Sequence, residues 1–462
     1  LMGGGYDSDS DVSYSTHVQT IGWQNAVSNG VSAGTTGKGL RLEAIKINLG
    51  NKKYSGGITY SAHVQGIGWQ NWVSNGQVAG TVGQGARLEA IRINLVGEMA
   101  KHYDVYYRVH AQNIGWMGWA KNGVASGTQG YSYRLEAIQI VIVEKGKSAP
   151  GSTKDPFKCT RIKYNTHIQN TGWGSEVNEA DISGSTGKGL RLEALNIHLI
   201  NQAYSGDVQY QAHIQNVGWE QEWKQNGQTD GTTGKSARVE AIRIRLTGEM
   251  AKHYDIYYRV HAQNIGWMGW TKNGQSAGTQ GYSYRLEAIQ IMLVDKGKSA
   301  PGSTKGSFKC TRIKYNTHVQ GTGWGNAVNE SDISGSTGKG LRMEALNIQL
   351  VGQMYSGNIQ YQAHIQNIGW GQGWKQNGQM AGTTGKSARL EAVKIQLTGE
   401  MAKHYDIYYR VHAQNIGWMG WAKNGQAAGT EGYSCRLEAI QIVLVDKGGN
   451  APGTTNDRFR KR

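Results

Sequence analysis

The sequence predicts an all-β protein of three tandem pseudo-threefold domains, each of three repeats of about 46 residues arranged as a β-prism or β-trefoil. Three observations carry this. Two periods are nested: Tyr133, Tyr284 and Cys435 occupy one position at steps of 151 residues, while His17, His63 and His110 fall 46 and 47 residues apart. Within a repeat the apolar residues alternate with period 2. Every proline (Pro150, Pro156, Pro301, Pro452) lies outside the repeats, as expected where a missing N–H would break a strand ladder.

Residues 54–97 show one repeat. From Ile58 to Gln65, Ile58, Tyr60, Ala62 and Val64 point one way, while Thr59, Ser61, His63 and Gln65 point the other, which describes a strand with one apolar face. A short segment from Trp69 to Val73 leads into Asn75-Gly76, a tight-turn signal, and a second turn follows at Gly80-Thr81-Val82-Gly83. From Arg87 to Leu95 alternation resumes, placing Arg87, Glu89, Ile91, Ile93 and Leu95 on one face. Each repeat therefore supplies three or four strands and no convincing helix. One such repeat cannot bury its face alone, so three must close around a common axis. Domains are expected over 6–145, 157–296 and 308–447, joined by semi-flexible linkers at 146–156 and 297–307 and followed by a basic tail at 448–462.

Composition agrees with this. The 462 residues include 67 Gly, 4 Pro and 3 Cys, with no G-X-Y period, so neither collagen nor a disordered linker protein fits. No apolar run is long enough to span a bilayer as a helix, and membrane insertion is not expected. Cys159, Cys310 and Cys435 form no repeated pair, which argues against a disulfide framework. The chain starts at Leu1 without a charged-then-apolar leader, so a secretion signal has been removed or is not included.

Comparing the repeats with one another shows what a repeat requires. All nine keep H-x-Q followed by Gly-Trp, then G-[ST]-x-G, then R-x-E-A, then an apolar alternation. In the first unit these are His17, Gln19, Trp23, Arg41 and Glu43, then His63, Trp69, Arg87 and Glu89, then His110, Trp116, Arg134 and Glu136. This arrangement closely resembles the clostridial hydrophobic repeat with a conserved tryptophan, the ChW repeat. The resemblance covers nearly the whole chain outside linkers and termini. It implies a secreted or surface-displayed protein with a role in polysaccharide binding or adhesion, and it carries no established ligand residues.

The R-x-E charges are expected to pair within the fold, with H-x-Q side chains as partners, because buried charge must be paired. The conserved Trp is expected as a core plug with its Nε1–H on backbone. A second Trp, present in six copies as Trp72, Trp119, Trp223, Trp270, Trp374 and Trp421, is missing from the first copies, where Asn25-Ala26 comes after Trp23, Gly174 after Trp173 and Gly325 after Trp324. A core position should not be vacated so easily, so these six are the candidate exposed ligand contacts. The turn residues Asn75, Asn122, Asn226, Asn273, Asn377 and Asn424 are their candidate hydroxyl-binding neighbours.

No metal site is expected, since one His per repeat lacks a paired ligand motif. No paired carboxylates, nucleophile elbow or phosphate loop suggest an enzyme, and no cofactor is expected. The leading expectation is a multivalent, lectin-like binder of polysaccharide or cell-wall glycan, outside the cell. Self-assembly into a surface layer or filament is the second. The net charge of 49 − 33 = +16 raises a third, an anionic wall polymer or nucleic acid. No nucleic-acid module accompanies that charge, so nucleic acid ranks last.

Overall fold

Two long strands pair antiparallel in every repeat, because each offers one apolar and one polar face. In the first repeat Asp11–Val18 pairs with Leu42–Gly50, with Tyr14 opposite Ile47. Gly22–Trp23 folds back onto the first long strand, placing Trp23 opposite His17, and Val27–Ser28 adds to the same edge. The fourth, short strand leaves its own repeat. Ala33–Gly34 pairs with Leu135–Glu144 of the third repeat, Ala79–Gly80 with Leu42–Gly50 of the first, and Ser126–Gln129 with Leu88–Val96 of the second. Each repeat thus completes the sheet of the one before it, and three such donations close a ring. The computed structural model describes residues 11–462, so the proposed domain start at residue 6 lies outside the described residues.

The second and third units repeat the exchange, giving nine sheets among the described residues. Among the described residues, long strands of successive repeats do not pair with each other. That separates three sheets per unit in the manner of a prism, whereas a trefoil barrel would join them. Three apolar cores lie inside the three rings, one spanning Val12 to Ile142, one Ile162 to Leu293 and one Ile313 to Leu444. Each fully buried aliphatic side chain contributes about 1.5–3 kcal/mol.

A buried tyrosine pins each junction. Tyr60 is fully buried; its hydroxyl donates to Gln77 O and accepts the Ile47 N–H at 3.1 Å, tying the second repeat to the first. Tyr14 does the same between Val31 O and Ile140 N, closing the ring. Glycine is required where the fourth strand crosses. Gly80 has φ +95°, and a Cβ there would lie 2.3 Å from Glu43 O.

Three features differ from the sequence expectation. A β-bulge falls between Leu88 and Ala90, so Leu88 joins the core and Glu89 does not share a face with Ile91. A single helical turn occupies Glu98–His102, Gly248–His253 and Gly399–His404, where His102 stacks on Tyr54 at 3.7 Å. Finally, the segment following each unit is fastened to that unit. Trp119 N donates to Ser152 O, and Phe157–Cys159 forms a parallel ladder with Ser126–Gln129. Phe308–Cys310 and Phe459–Lys461 repeat this pairing, so part of the basic C-terminal segment is a strand.

Candidate functional site

The bulge that displaces Glu43 inward creates the repeated polar centre. Glu43 is buried; one carboxylate oxygen lies 3.1 Å from His17 Nδ1 and the other accepts the Arg41 Nε–H at 3.0 Å. Equivalent His–Glu pairs in all nine copies span 3.1–3.6 Å, but only His17–Glu43 has hydrogen-bond alignment; in the other eight the His Nδ1 lies against the carboxylate off that alignment. The glutamine completes the centre: Gln19 N donates to Arg41 O, and Arg41 N donates to Gln19 Oε1. The expected internal pairing of R-x-E with H-x-Q is therefore present. In the second unit Gln169, Arg191, Gln215, Arg238, Gln263 and Arg285 meet around a polar pocket of about 400 Å³.

The conserved tryptophan is not a core plug. Its ring stands edge-on to the histidine, 5.5 Å away for Trp23 and 5.4 Å for Trp69 and Trp116, and it remains exposed or half-buried in every copy. The Gly-Trp strand is an edge strand of two residues, so one ring face looks outward. In seven copies a cation covers that ring: Lys46 on Trp23, Arg92 on Trp69, Arg108 on Trp116, Arg243 on Trp219, Arg259 on Trp267, Lys394 on Trp370 and Arg410 on Trp418. Trp173 and Trp324 carry none and are each 40 % exposed.

The second tryptophans divide by repeat. Trp72 and Trp374 are exposed as expected, and Trp223 is half-buried with Arg245 3.9 Å from its ring centre. Trp119, Trp270 and Trp421 are buried, which corrects the expectation of exposure: the segment following each unit lies over them. The asparagines are also engaged internally. Asn75 Oδ1 accepts Ile58 N and Asn122 Oδ1 accepts Val105 N, with Asn273 and Asn424 placed alike. Asn226 and Asn377 accept Leu199 N and Leu350 N at 2.7 Å. Their amides hold the turns to the long strands, which leaves little for a ligand.

Sequence reasoning gave no role to the side chains of G-[ST]-x-G. The structure brings that turn beside Gly-Trp, and in two copies the space between them is open. One groove of about 370 Å³ is lined by Thr317, Trp324, Gly325, Ser334, Ser336 and Lys339 among others. Its counterpart of about 270 Å³ includes Thr166, Gly172, Gly174, Ser183, Ser185 and Lys188. The signal was legible as Gly174 and Gly325, which replace bulkier residues found in other copies.

One carboxyl pair is unique to the second repeat of the second unit. Asp230 is fully buried against Glu220; burial first, then the neighbouring carboxylate, pushes its pKa far above the usual range. Among the described residues no group of three His, Cys, Asp or Glu is disposed to hold a metal ion.

No curated protein and no solved structure matches the chain. The profile of the family described as clostridial hydrophobic W matches nine segments, 17–51, 63–97, 110–144, 167–201, 213–248, 261–295, 318–352, 364–399 and 412–446. Such repeats are generally associated with surface or extracellular proteins. With nine matched segments accounting for most of its length, the chain belongs to the ChW repeat family.

Proposed function

We propose that this protein is a multivalent binder of polysaccharide at the cell surface, acting through its repeat tryptophans rather than through catalysis. One observation carries the reading: in all nine repeats an indole stands edge-on to His and keeps accessible surface, and in eight of them it sits on a two-residue edge strand. A rigid aromatic face stacks on the C–H face of a pyranose with little entropy cost. Hydroxyls beside it, such as those of Ser183, Ser185, Ser334 and Ser336 in the open grooves, supply polar contacts. A single shallow site of this kind is weak. Three rings in one chain raise the effective concentration of neighbouring sites on a polymer, so binding of a long chain exceeds that of a short one by orders of magnitude.

The buried Glu centres serve this by fixing the His that orients the indole. Because each Glu is matched by an Arg two residues earlier, the surplus positive charge lies elsewhere on the surface. That charge favours an anionic glycan among otherwise similar polymers. Affinity electrophoresis through gels containing soluble polysaccharides tests the proposal with the full chain. Retardation by at least one polymer, reduced at least about tenfold in Kd by combined Trp23→Ala, Trp72→Ala and Trp374→Ala, is the expected result. Equal retardation of the variant would remove the aromatic surfaces from the explanation.

A further inference from the structure

We propose that the polar pocket on the axis of the second ring binds a tetrahedral oxyanion, a phosphate or sulfate group with three unsubstituted oxygens. No tryptophan lines this pocket, so anion binding there is independent of the indole surfaces.

The pocket is a consequence of the repeat. Each copy of H-x-Q and R-x-E contributes one glutamine and one arginine, and ring closure brings three of each together. Gln169 and Arg191 come from the first repeat, Gln215 and Arg238 from the second, and Gln263 and Arg285 from the third. Gly189, Ser236 and Ser283 form the rim of this cavity of about 400 Å³. The six long side chains are half-buried and the three rim residues exposed, so the pocket opens to solvent. Arg285 reaches across to the neighbouring repeat: a Cβ on Gly189 would lie 3.3 Å from its Nη2.

Hydrogen bonds within the chain leave donors over. Gln169, Gln215 and Gln263 Oε1 accept the backbone N–H of Arg191, Arg238 and Arg285 at 3.2, 3.3 and 3.3 Å. That engages each carboxamide oxygen and leaves each Nε2 with no acceptor among the described residues. The guanidiniums are engaged along one side. Arg191 and Arg238 meet Glu193 and Glu240 through Nε at 2.9 and 3.0 Å, and Arg285 meets Glu287 through Nη2 at 3.1 Å. Nη1 of all three has no partner among the described residues. The lining side chains thus offer three Nη1 groups, three Nε2 groups and two serine hydroxyls. A sugar hydroxyl donates as well as accepts, and only the serine oxygens can take its proton. An oxyanion accepts from every one of these groups.

Charge points the same way. Glu193, Glu240 and Glu287 are 5–6 % exposed and do not line the pocket, so an anion there meets each guanidinium before the carboxylate behind it. The three turns that form the rim, 186–191, 233–238 and 280–285, add Lys188 and Lys235 and contain no Asp or Glu. Guanidinium-to-oxyanion hydrogen bonds are charge-assisted, about twice as strong as neutral ones.

Symmetry narrows the class. Three equivalent Arg–Gln pairs around an axis match the three equivalent oxygens of a phosphate or sulfate group whose fourth oxygen lies on the axis toward solvent. A carboxylate has two oxygens and a phosphodiester two unsubstituted ones, so either leaves one repeat's pair unengaged. The outward oxygen tolerates a carbon substituent, which admits a sugar ester as well as the free ion. The other rings keep the Gln and Arg positions but not the rim charge. Turns 36–41, 82–87 and 129–134 contain Lys38 alone, and turns 337–342, 384–389 and 431–436 set Glu431 against Lys339 and Lys386. The second ring therefore holds the tightest of the three sites.

The test is isothermal titration calorimetry of the full chain, at fixed ionic strength, with inorganic sulfate, inorganic phosphate, glucose 6-sulfate, acetate and dimethyl phosphate. One variant carries Ser236→Asp with Ser283→Asp, which tethers carboxylates inside the ring. Its control carries Ser236→Asn with Ser283→Asn, matched in size without the charge. Both serines have positive φ, 52° and 60°, a region that Asn and Asp tolerate, so the fold accepts either pair. The expected result is a tightest site of one sulfate or phosphate per chain with Kd below about 1 mM, and acetate and dimethyl phosphate at least about tenfold weaker. That site should be lost in the Asp pair and kept in the Asn pair. Glucose 6-sulfate bound as tightly as sulfate identifies a glycan ester as the ligand, and its exclusion identifies the free ion; both outcomes support the site. No binding by the wild type, acetate bound as tightly as sulfate, or equal binding by the Asp and Asn pairs would each overturn it.

Discussion

Replacing Trp270 by Ala separates a structural tryptophan from a surface one. Trp270 is 5 % exposed; its backbone N–H donates to Ser303 O at 2.9 Å, and Gly302 packs against its Nε1 edge. An indole of this burial removes about 150–250 Å² from water, which at about 25 cal/mol per Å² gives roughly 4–6 kcal/mol as an upper bound. Measured large-to-small changes point to about 3–5 kcal/mol. Trp72, at 44 % exposure on an edge, should lose about 1 kcal/mol or less on the same change. Because three separate cores preclude a single two-state transition, hydrogen exchange resolved by mass spectrometry is the suitable assay. In Trp270→Ala, peptides covering 254–310 should lose protection while those covering 11–144 keep it, and Trp72→Ala should leave both nearly unchanged. Equal protection of the 297–310 segment in wild type and Trp270→Ala would refute the account of how that segment is held.

Other consequences follow from the same contacts. Gly80→Ala forces a Cβ within 2.3 Å of Glu43 O at a positive φ, and should lower the stability of the first unit by more than about 2 kcal/mol in urea unfolding; a smaller loss would mean the strand exchange tolerates displacement. Asp104 is pushed up by burial but held down to about 2 by the Gly146 N–H, Asn122 and Lys145. Its contribution is thus present above about pH 4 and lost as pH falls through about 2, so Asp104→Asn should flatten the acid limb of the thermal-stability profile. Asp230 has the opposite sign. Its raised pKa keeps the native state protonated where the unfolded chain is ionised, so stability is greatest below about pH 4 and declines as pH rises. Glu220→Gln with Asp230→Ala, the pairing found at Gln70 and Ala79, should raise stability at neutral pH by about 1–3 kcal/mol; no gain would argue that the pair is already relieved.

Much of the fold was legible because nine copies expose its requirements. The nested period gave three rings of three, and the alternation of Ile58, Tyr60, Ala62 and Val64 named the inward face of a long strand. The bulge at Glu89 was not legible, since an extra residue in one strand leaves no trace in a two-residue period. The exchange of the fourth strand was hidden for a related reason. Ala79–Gly80 is too short to carry a pattern, and its partner lies in another repeat. Inferring exposure of the second tryptophan from its absence in first copies worked at Trp72 and Trp374. It failed at Trp119, Trp270 and Trp421, because burial there depends on a segment more than 30 residues further along the chain. Persistence of the first tryptophan in all copies suggested a core residue, yet its constant partner is the His ring beside it. For the candidate site, sequence comparison offered the two glycines at 174 and 325, but only the geometry shows that they leave a groove open beside the G-[ST]-x-G turn.

The central claim is that the repeats bind polysaccharide through presented indoles. Its most direct measurement is retardation of the full chain in native gels containing a panel of neutral and anionic polysaccharides, run at two salt concentrations. The account predicts retardation by at least one polymer that persists at high salt and is competed by its own oligomers. Unchanged mobility in every polymer, or retardation abolished by salt alone with no oligomer competition, would contradict it.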